Sequence, residues 1–196
     1  MAITSGLRSE SKAEEFRLLC ELVMYILCLG TVNLVFCGGA FNRLGIRPRT
    51  SMGLLGILFT PFLHLDWSHL LGNLMLFFIL GWFIMLGGMS HFYIVTAFTV
   101  IVGGLGVWIF GRPASHCGAS GVIFGYIGFL LLSGYFLRDS LSIVLSTLVG
   151  LCYGRLLWGV FPRDEGTSWE GHLFGFLGGV LAAGYLDVLK AMFPLS

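Results

Sequence analysis

Apolar positions along the chain gather into six long runs, approximately Phe16–Phe36, Trp67–Leu86, Phe92–Phe110, Gly118–Leu137, Ser140–Val160 and Trp169–Ala191. A bilayer core about 30 Å thick is crossed by roughly 20 apolar residues at 1.5 Å of helix rise each, so every run predicts a membrane-spanning helix. The separators are short and carry breakers or charge: Gly87-Gly88, Gly111-Arg112-Pro113, Arg138-Asp139 and Pro162-Arg163-Asp164-Glu165-Gly166. They leave no room for a soluble domain. The polar stretch Met1–Lys12 precedes an apolar run too long for a signal peptide's core. The expected organisation is a short polar N-terminal segment, residues 1–15, and one all-α membrane domain of six helices over residues 16–196.

One interval breaks the rhythm. From Gly38 to Asp66, Arg43, Arg47, Pro48 and Arg49 are followed by Leu54, Leu55, Ile57, Leu58, Phe59, Phe62 and Leu63. This is too polar and too interrupted to span, and the better reading is a long first loop that forms an amphipathic segment lying in the membrane interface. Helix contacts in lipid rely on small residues that let backbones approach. The sixth run carries Gly171, Gly175, Gly179 and Ala183 on one i, i+4 line, and the fourth offers Gly121 and Gly125. These two helices are expected to touch closely.

Composition supports lipid as the solvent: 57% of the 196 residues are hydrophobic and 11% charged. A formal net charge of +1, without a basic run interleaved with aromatics, argues against a nucleic-acid partner. Cys20, Cys28, Cys37, Cys117 and Cys152 form an odd set without CxxC spacing, which predicts no disulfide framework. No HExxH or Cys/His spacing suggests a metal.

Polar groups inside a span are costly and mark sites or their partners. Here they are Glu21, Asn33, His69, Asn73, Ser120, Arg155, His172 and Asp187. With six spans joined by short loops, the even-numbered helices all start from one membrane face. His69 and Asn73 fall in the first two turns of the second span, Ser120 in the first turn of the fourth and His172 in the first turn of the sixth. They converge at one depth, about 5 to 10 Å below that surface. A serine hydroxyl needs a base within hydrogen-bond reach to become a nucleophile, and His172 is such a base. The i, i+4 spacing of His69 and Asn73 puts an imidazole N–H and an amide N–H on one helix face, where they could receive an oxyanion. The Ser120 backbone N–H, at a helix start, is a third donor. Taken singly, Ser120 also suits close helix packing, His172 an interhelical hydrogen bond, and Asn73 structural glue. No acidic side chain stands out as a third partner for His172. His91 and His116 flank loops and are expected at the interface, while Arg155 is expected to snorkel or pair.

The sequence resembles the rhomboid intramembrane proteases. The matching motifs are Gly118-Ala119-Ser120-Gly121, His69-Leu70-Leu71-Gly72-Asn73, and Gly171-His172 followed by Gly175 and Gly179. The resemblance implies a six-helix rhomboid-like bundle with Ser120 as nucleophile, His172 as general base, His69, Asn73 and Ser120 as oxyanion donors, and Gly118, Gly121, Gly125, Gly171, Gly175 and Gly179 in close helix packing. His64 matches a further histidine often found in the family. Phe124 stands where relatives often carry a tyrosine stacked on the catalytic imidazole. Relatives often have a Glu near the end of the second span, where this chain reads Leu86-Gly87-Gly88-Met89.

The function so implied is cofactor-independent hydrolysis of peptide bonds in transmembrane segments of other membrane proteins. The partners are those substrates and the lipid bilayer. The rival is an inactive relative that binds membrane clients. A transporter or channel is disfavoured because no repeated half, broken helix pair or acidic ring appears. Basic residues are balanced across the two faces, so charge does not orient the chain. Resemblance to bacterial members implies a cytoplasmic N-terminus, an outward-opening site and a multi-pass protein of the bacterial plasma membrane.

Overall fold

The computed structural model describes residues 2–162 and 166–194, with side chains from Lys12 onward. Arg163, Asp164 and Glu165 of the fifth predicted separator, the ends Met1, Leu195 and Ser196, and the side chains of the polar stretch before Lys12 lie outside the described residues. Among the described residues the fold is all-helical, without a strand. Its elements are α1 (Ala2–Thr31), α2 (Ser51–Phe59), α3 (Trp67–Met85), α4 (Met89–Phe110), α5 (Ser120–Phe136), α6 (Ser140–Tyr153), α7 (Trp169–Gly184) and α8 (Leu186–Met192). Helix α1 continues into a π turn at Val32–Phe36, and α6 tightens into a 3-10 segment at Gly154–Val160.

Polar residues set the helix starts. Asp66 caps α3 by accepting the His69 N–H at 2.8 Å, Asp139 caps α6 through Ser142 N–H at 3.0 Å, and Ser168 caps α7 through Gly171 N–H at 3.3 Å. Lys12 Nζ reaches Glu15 at 2.5 Å and the Met85 carbonyl at 3.2 Å, pinning α1 to the end of α3.

Lys12–Phe36, Trp67–Met85, Met89–Phe110 and Ser140–Val160 are long and apolar enough to cross a membrane. The bent pair α7 and α8 adds a fifth if it counts as one span. Two predicted runs differ in form. The sixth, expected to continue to Ala191, breaks at Tyr185 with a bend of 77°. The bend lets Leu186 and Leu189 enter the core while Asp187 stays exposed and Lys190 half-exposed. The fourth is only 17 residues of helix, and α5 is the innermost element, with every residue from Val122 to Leu130 buried. At its centre Tyr126 is fully buried, its hydroxyl paired with Thr96 Oγ1 at 2.7 Å.

The closest contact is between α5 and α7. A Cβ on Gly175 would strike the Gly121 carbonyl oxygen, and one on Gly179 would strike that of Gly125. Gly171 lies beside Gly121. Since the obstacle is backbone, the helices themselves would have to separate. Gly175→Ala is therefore expected to cost about 1–3 kcal/mol, the range for overpacking a tight core. Thermal unfolding in detergent reads this as a lower Tm, and an unchanged Tm would mean the two helices part freely.

The stretch predicted as a long loop is largely helical. It contains a 3-10 turn at Ala40–Leu44, α2, and a second 3-10 turn at Thr60–Phe62. Gly53, Gly56 and Ile57 turn inward, Gly56 against the Gly45 carbonyl, while Met52, Leu54, Leu55 and Leu58 face outward. Ile46 and His116 exchange two backbone hydrogen bonds at 3.0 and 2.9 Å, joining this stretch to the segment that leads into α5.

Candidate active site

The starts of α3, α5 and α7 surround a cavity of about 550 Å³. His69 and Asn73 from α3, Ser120 and Phe124 from α5, and His172 from α7 all line it. The loop residues Arg112, Ser115, His116 and Ser168 complete its walls. The four polar residues that topology sorted to one depth thus share one space. A cavity of about 40 Å³ adjoins it behind Ser120, bordered by Gly103, Gly104 and Gly175 and by Thr99, whose buried hydroxyl has no partner.

His172 is the most constrained of these side chains. Its ring stacks on Phe124 with centroids 4.1 Å apart and planes 8° from parallel. Its Nδ1 lies 2.9 Å from the Gly159 carbonyl oxygen. That oxygen can only accept, so Nδ1 carries the proton and Nε2 keeps its lone pair. Gly159 must be small, since a Cβ there would lie 2.8 Å from Phe124 Cζ and 3.2 Å from His172 Nδ1. No hydrogen bond joins Ser120 to His172 in this arrangement, and such bonds commonly tighten only with substrate. As the first residue of α5, Ser120 has a backbone N–H without an intrahelical acceptor.

Gly118, expected among the packing glycines, has a different place. It is a left-handed residue, φ +123°, before α5, and a Cβ there would lie 2.7 Å from His69 Nε2 and 3.5 Å from Ser120 Oγ. An L side chain would be strained and would displace the imidazole. The glycine thereby lets His69 and Ser120 flank one point. Asn73 is buried, and its Nδ2 has no hydrogen-bond partner. A buried donor left unpaired costs about 1–3 kcal/mol, which makes it a candidate for function. His64 is fully buried, edge-on to His69 with centroids 5.1 Å apart, and neither ring nitrogen is paired. Burial first, then the neighbouring His69, pushes its imidazole down to about 4.

Other sequence expectations resolve outside the cavity or at its edge. Asn33 is buried, donating to Asn42 Oδ1 at 2.9 Å and accepting the Phe41 N–H at 2.9 Å. Glu21 pairs with Arg17 at 2.8 Å, and Arg155 is exposed. His116 is 4% exposed, bonded through its backbone to Ile46 and through Nδ1 to Ser168. Two features escaped the sequence: the Gly159 carbonyl that orients His172, and Glu170, the second residue of α7, which is buried and held by Arg112. A backbone acceptor has no side-chain signature, and the Glu170–Arg112 pair joins residues far apart in the chain. Among the described residues no three His, Cys, Asp or Glu side chains cluster as a metal site would.

Residues 52–187 match the family model described as the Rhomboid domain. An uncharacterized protein of Mycobacterium tuberculosis is 39% identical over 173 residues, an alignment covering 83% of this chain and 72% of the relative. An uncharacterized protein of Mycobacterium bovis gives the same figures. One from Mycobacterium leprae is 43% identical over 148 residues, covering 71% of this chain and 59% of its own.

Proposed function

The chain belongs to the rhomboid family, and from that premise we propose that it is an intramembrane serine protease in which Ser120 is the nucleophile and His172 the base. The observation that supports this most is the setting of His172: held on Phe124 and bonded through Nδ1 to an acceptor-only atom, its Nε2 is left for proton transfer in a cavity shared with Ser120. In the proposed reaction Nε2 takes the Oγ proton as the oxygen adds to the scissile carbonyl. The Ser120 N–H, the His69 ring and the unpaired Asn73 amide donate to the resulting oxyanion. His172 then returns the proton to the leaving amine, and water hydrolyses the ester that remains on Ser120.

In this proposal six helices cross the membrane: α1, α3, α4, α5, α6 with its 3-10 tail, and α7. Both termini then lie on one side, with the polar segment 1–15 outside the membrane domain and residues 37–66 in the interface. The bacterial plasma membrane is the proposed location, in keeping with the mycobacterial relatives. Substrates are transmembrane segments, which must unwind locally to expose an amide, because backbone in lipid is otherwise locked in helices.

A different serine has a specific observation in its favour. Ser168 Oγ lies 2.6 Å from His116 Nδ1 and also borders the cavity. Its oxygen, however, accepts the Gly171 N–H as the cap of α7, so attack would undo the helix start. The inactive, client-binding alternative lacks such an observation. Purified protein incubated with a panel of transmembrane substrates is expected to give cleavage products that vanish in Ser120→Ala. Products that persist in that variant would transfer the role to another serine, and a wild type that cleaves nothing would favour client binding.

A further inference from the structure

The segment after α4 is tied to the first turn of α7 by two sets of contacts outside the Ser120 and His172 pair. Glu170 is 2% exposed, yet its Oε1 accepts the Arg112 backbone N–H at 3.3 Å and lies 3.6 Å from Arg112 Nε. The same guanidinium donates through Nη2 to the Thr167 carbonyl at 2.5 Å. Beside this pair, His116 Nε2 is 3.2 Å from the Arg112 carbonyl and His116 Nδ1 is 2.6 Å from Ser168 Oγ. Burial pushes the His116 imidazole below its usual range, which favours the uncharged ring.

The donor directions then follow from the chemistry of each atom. The Arg112 carbonyl accepts only, so Nε2–H donates to it, and in the uncharged ring Nδ1 then accepts the Ser168 O–H. The Ser168 oxygen in turn accepts the Gly171 N–H. One directed chain therefore runs from the N–H of Gly171, the residue next to His172, to the Arg112 carbonyl. Glu170 reinforces it from the second position of α7, where a carboxylate also meets the positive end of the helix dipole. Burying a carboxylate is costly unless it is paired, and here Oε1 pairs with Arg112 across the cavity wall while Oε2 is buried without a hydrogen bond.

We propose that Arg112, His116, Ser168 and Glu170 form a clasp whose task is to hold the first turn of α7 so that the His172 ring keeps its stack on Phe124 and its bond to Gly159. They are positioning residues, because none is required to touch substrate. The catalytic consequence rests on the protease function proposed above; the clasp itself does not. A displacement of about 1 Å in a reacting group can cost on the order of 10²-fold, so loosening this turn should be felt in turnover.

The test uses the full chain with ¹⁵N-labelled histidine, in which the hydrogen-bonded His172 ring N–H is identified by its loss in His172→Gln. In Glu170→Ala that signal is expected to broaden and exchange faster, with kcat lowered about tenfold or more and KM changed less than about twofold. Glu170→Gln keeps the acceptor for Arg112 and should retain the signal and most of the turnover. Ser168→Ala cuts the chain at its centre and should resemble Glu170→Ala, while Ser168→Thr restores the hydroxyl and the signal. A wild-type His172 signal in folded Glu170→Ala overturns the clasp; if that variant does not fold, a wild-type signal in Ser168→Ala does so. If wild-type protein cleaves nothing but the signal responds as expected, the clasp stands and the protease function falls.

Discussion

His172→Ala is expected to abolish cleavage and to stop fluorophosphonate labelling at Ser120, a fall of roughly 10⁴-fold or more in turnover. The size follows from how completely the ring is committed. Nδ1 is held by an acceptor-only carbonyl 2.9 Å away and one ring face is stacked on Phe124, so Nε2 is the proton acceptor that His172 brings to the cavity. Without it Ser120 retains its place at the start of α5 but has no partner to take its proton. The ring has a carbonyl and no side-chain carboxylate on Nδ1, so labelling of the wild type should be slow. The position of the label matters as much as its extent. Ser168 is already hydrogen-bonded to His116, whereas Ser115 donates to the Asn42 carbonyl at 2.8 Å. Mass spectrometry that finds the label on Ser168, lost in His116→Ala and kept in His172→Ala, would remove the proposed pair from consideration.

The distance between what the sequence reveals and what the structure adds has physical causes. Apolar runs are legible because lipid demands them, and the cavity's four polar residues are legible because spans alternate in direction, so residues early in even-numbered helices share a face. Gly121, Gly125, Gly175 and Gly179 meet as their i, i+4 spacing suggests, since that spacing is itself a geometric statement. Gly118 departs from the expected helix packing because a glycine in a motif does not announce its φ; here it is left-handed beside an imidazole, not a helix contact. The break at Tyr185 carries no proline, and the pattern of apolar residues continues through it. Hydrophobic periodicity records which residues are buried, and a sharp bend can preserve that. The Gly159 carbonyl and the Arg112–Glu170 contact depend on how separate segments dock, which one sequence does not encode in any local pattern.

Asn73→Ala is expected to lower turnover by about 10²–10³-fold while leaving stability unchanged or slightly higher, and this pairing of effects identifies the residue's role. An amide serving as interhelical glue would satisfy its donors in the resting protein. Instead Asn73 is buried with Nδ2 unpaired in a cavity that also holds Ser120. Removing an unsatisfied buried donor takes away a desolvation penalty of about 1–3 kcal/mol, which offsets the packing lost with the side chain. The loss should therefore fall on the transition state alone: kcat and kcat/KM drop together, and Tm in detergent does not fall. Asn73→Asp sharpens the comparison, because a carboxylate of nearly the same shape offers no donor and repels an oxyanion, so it should be at least as slow as the alanine variant. Wild-type turnover in a folded Asn73→Ala protein, or a clear fall in its Tm with turnover intact, would return Asn73 to a structural role and leave the Ser120 N–H and His69 as the oxyanion donors.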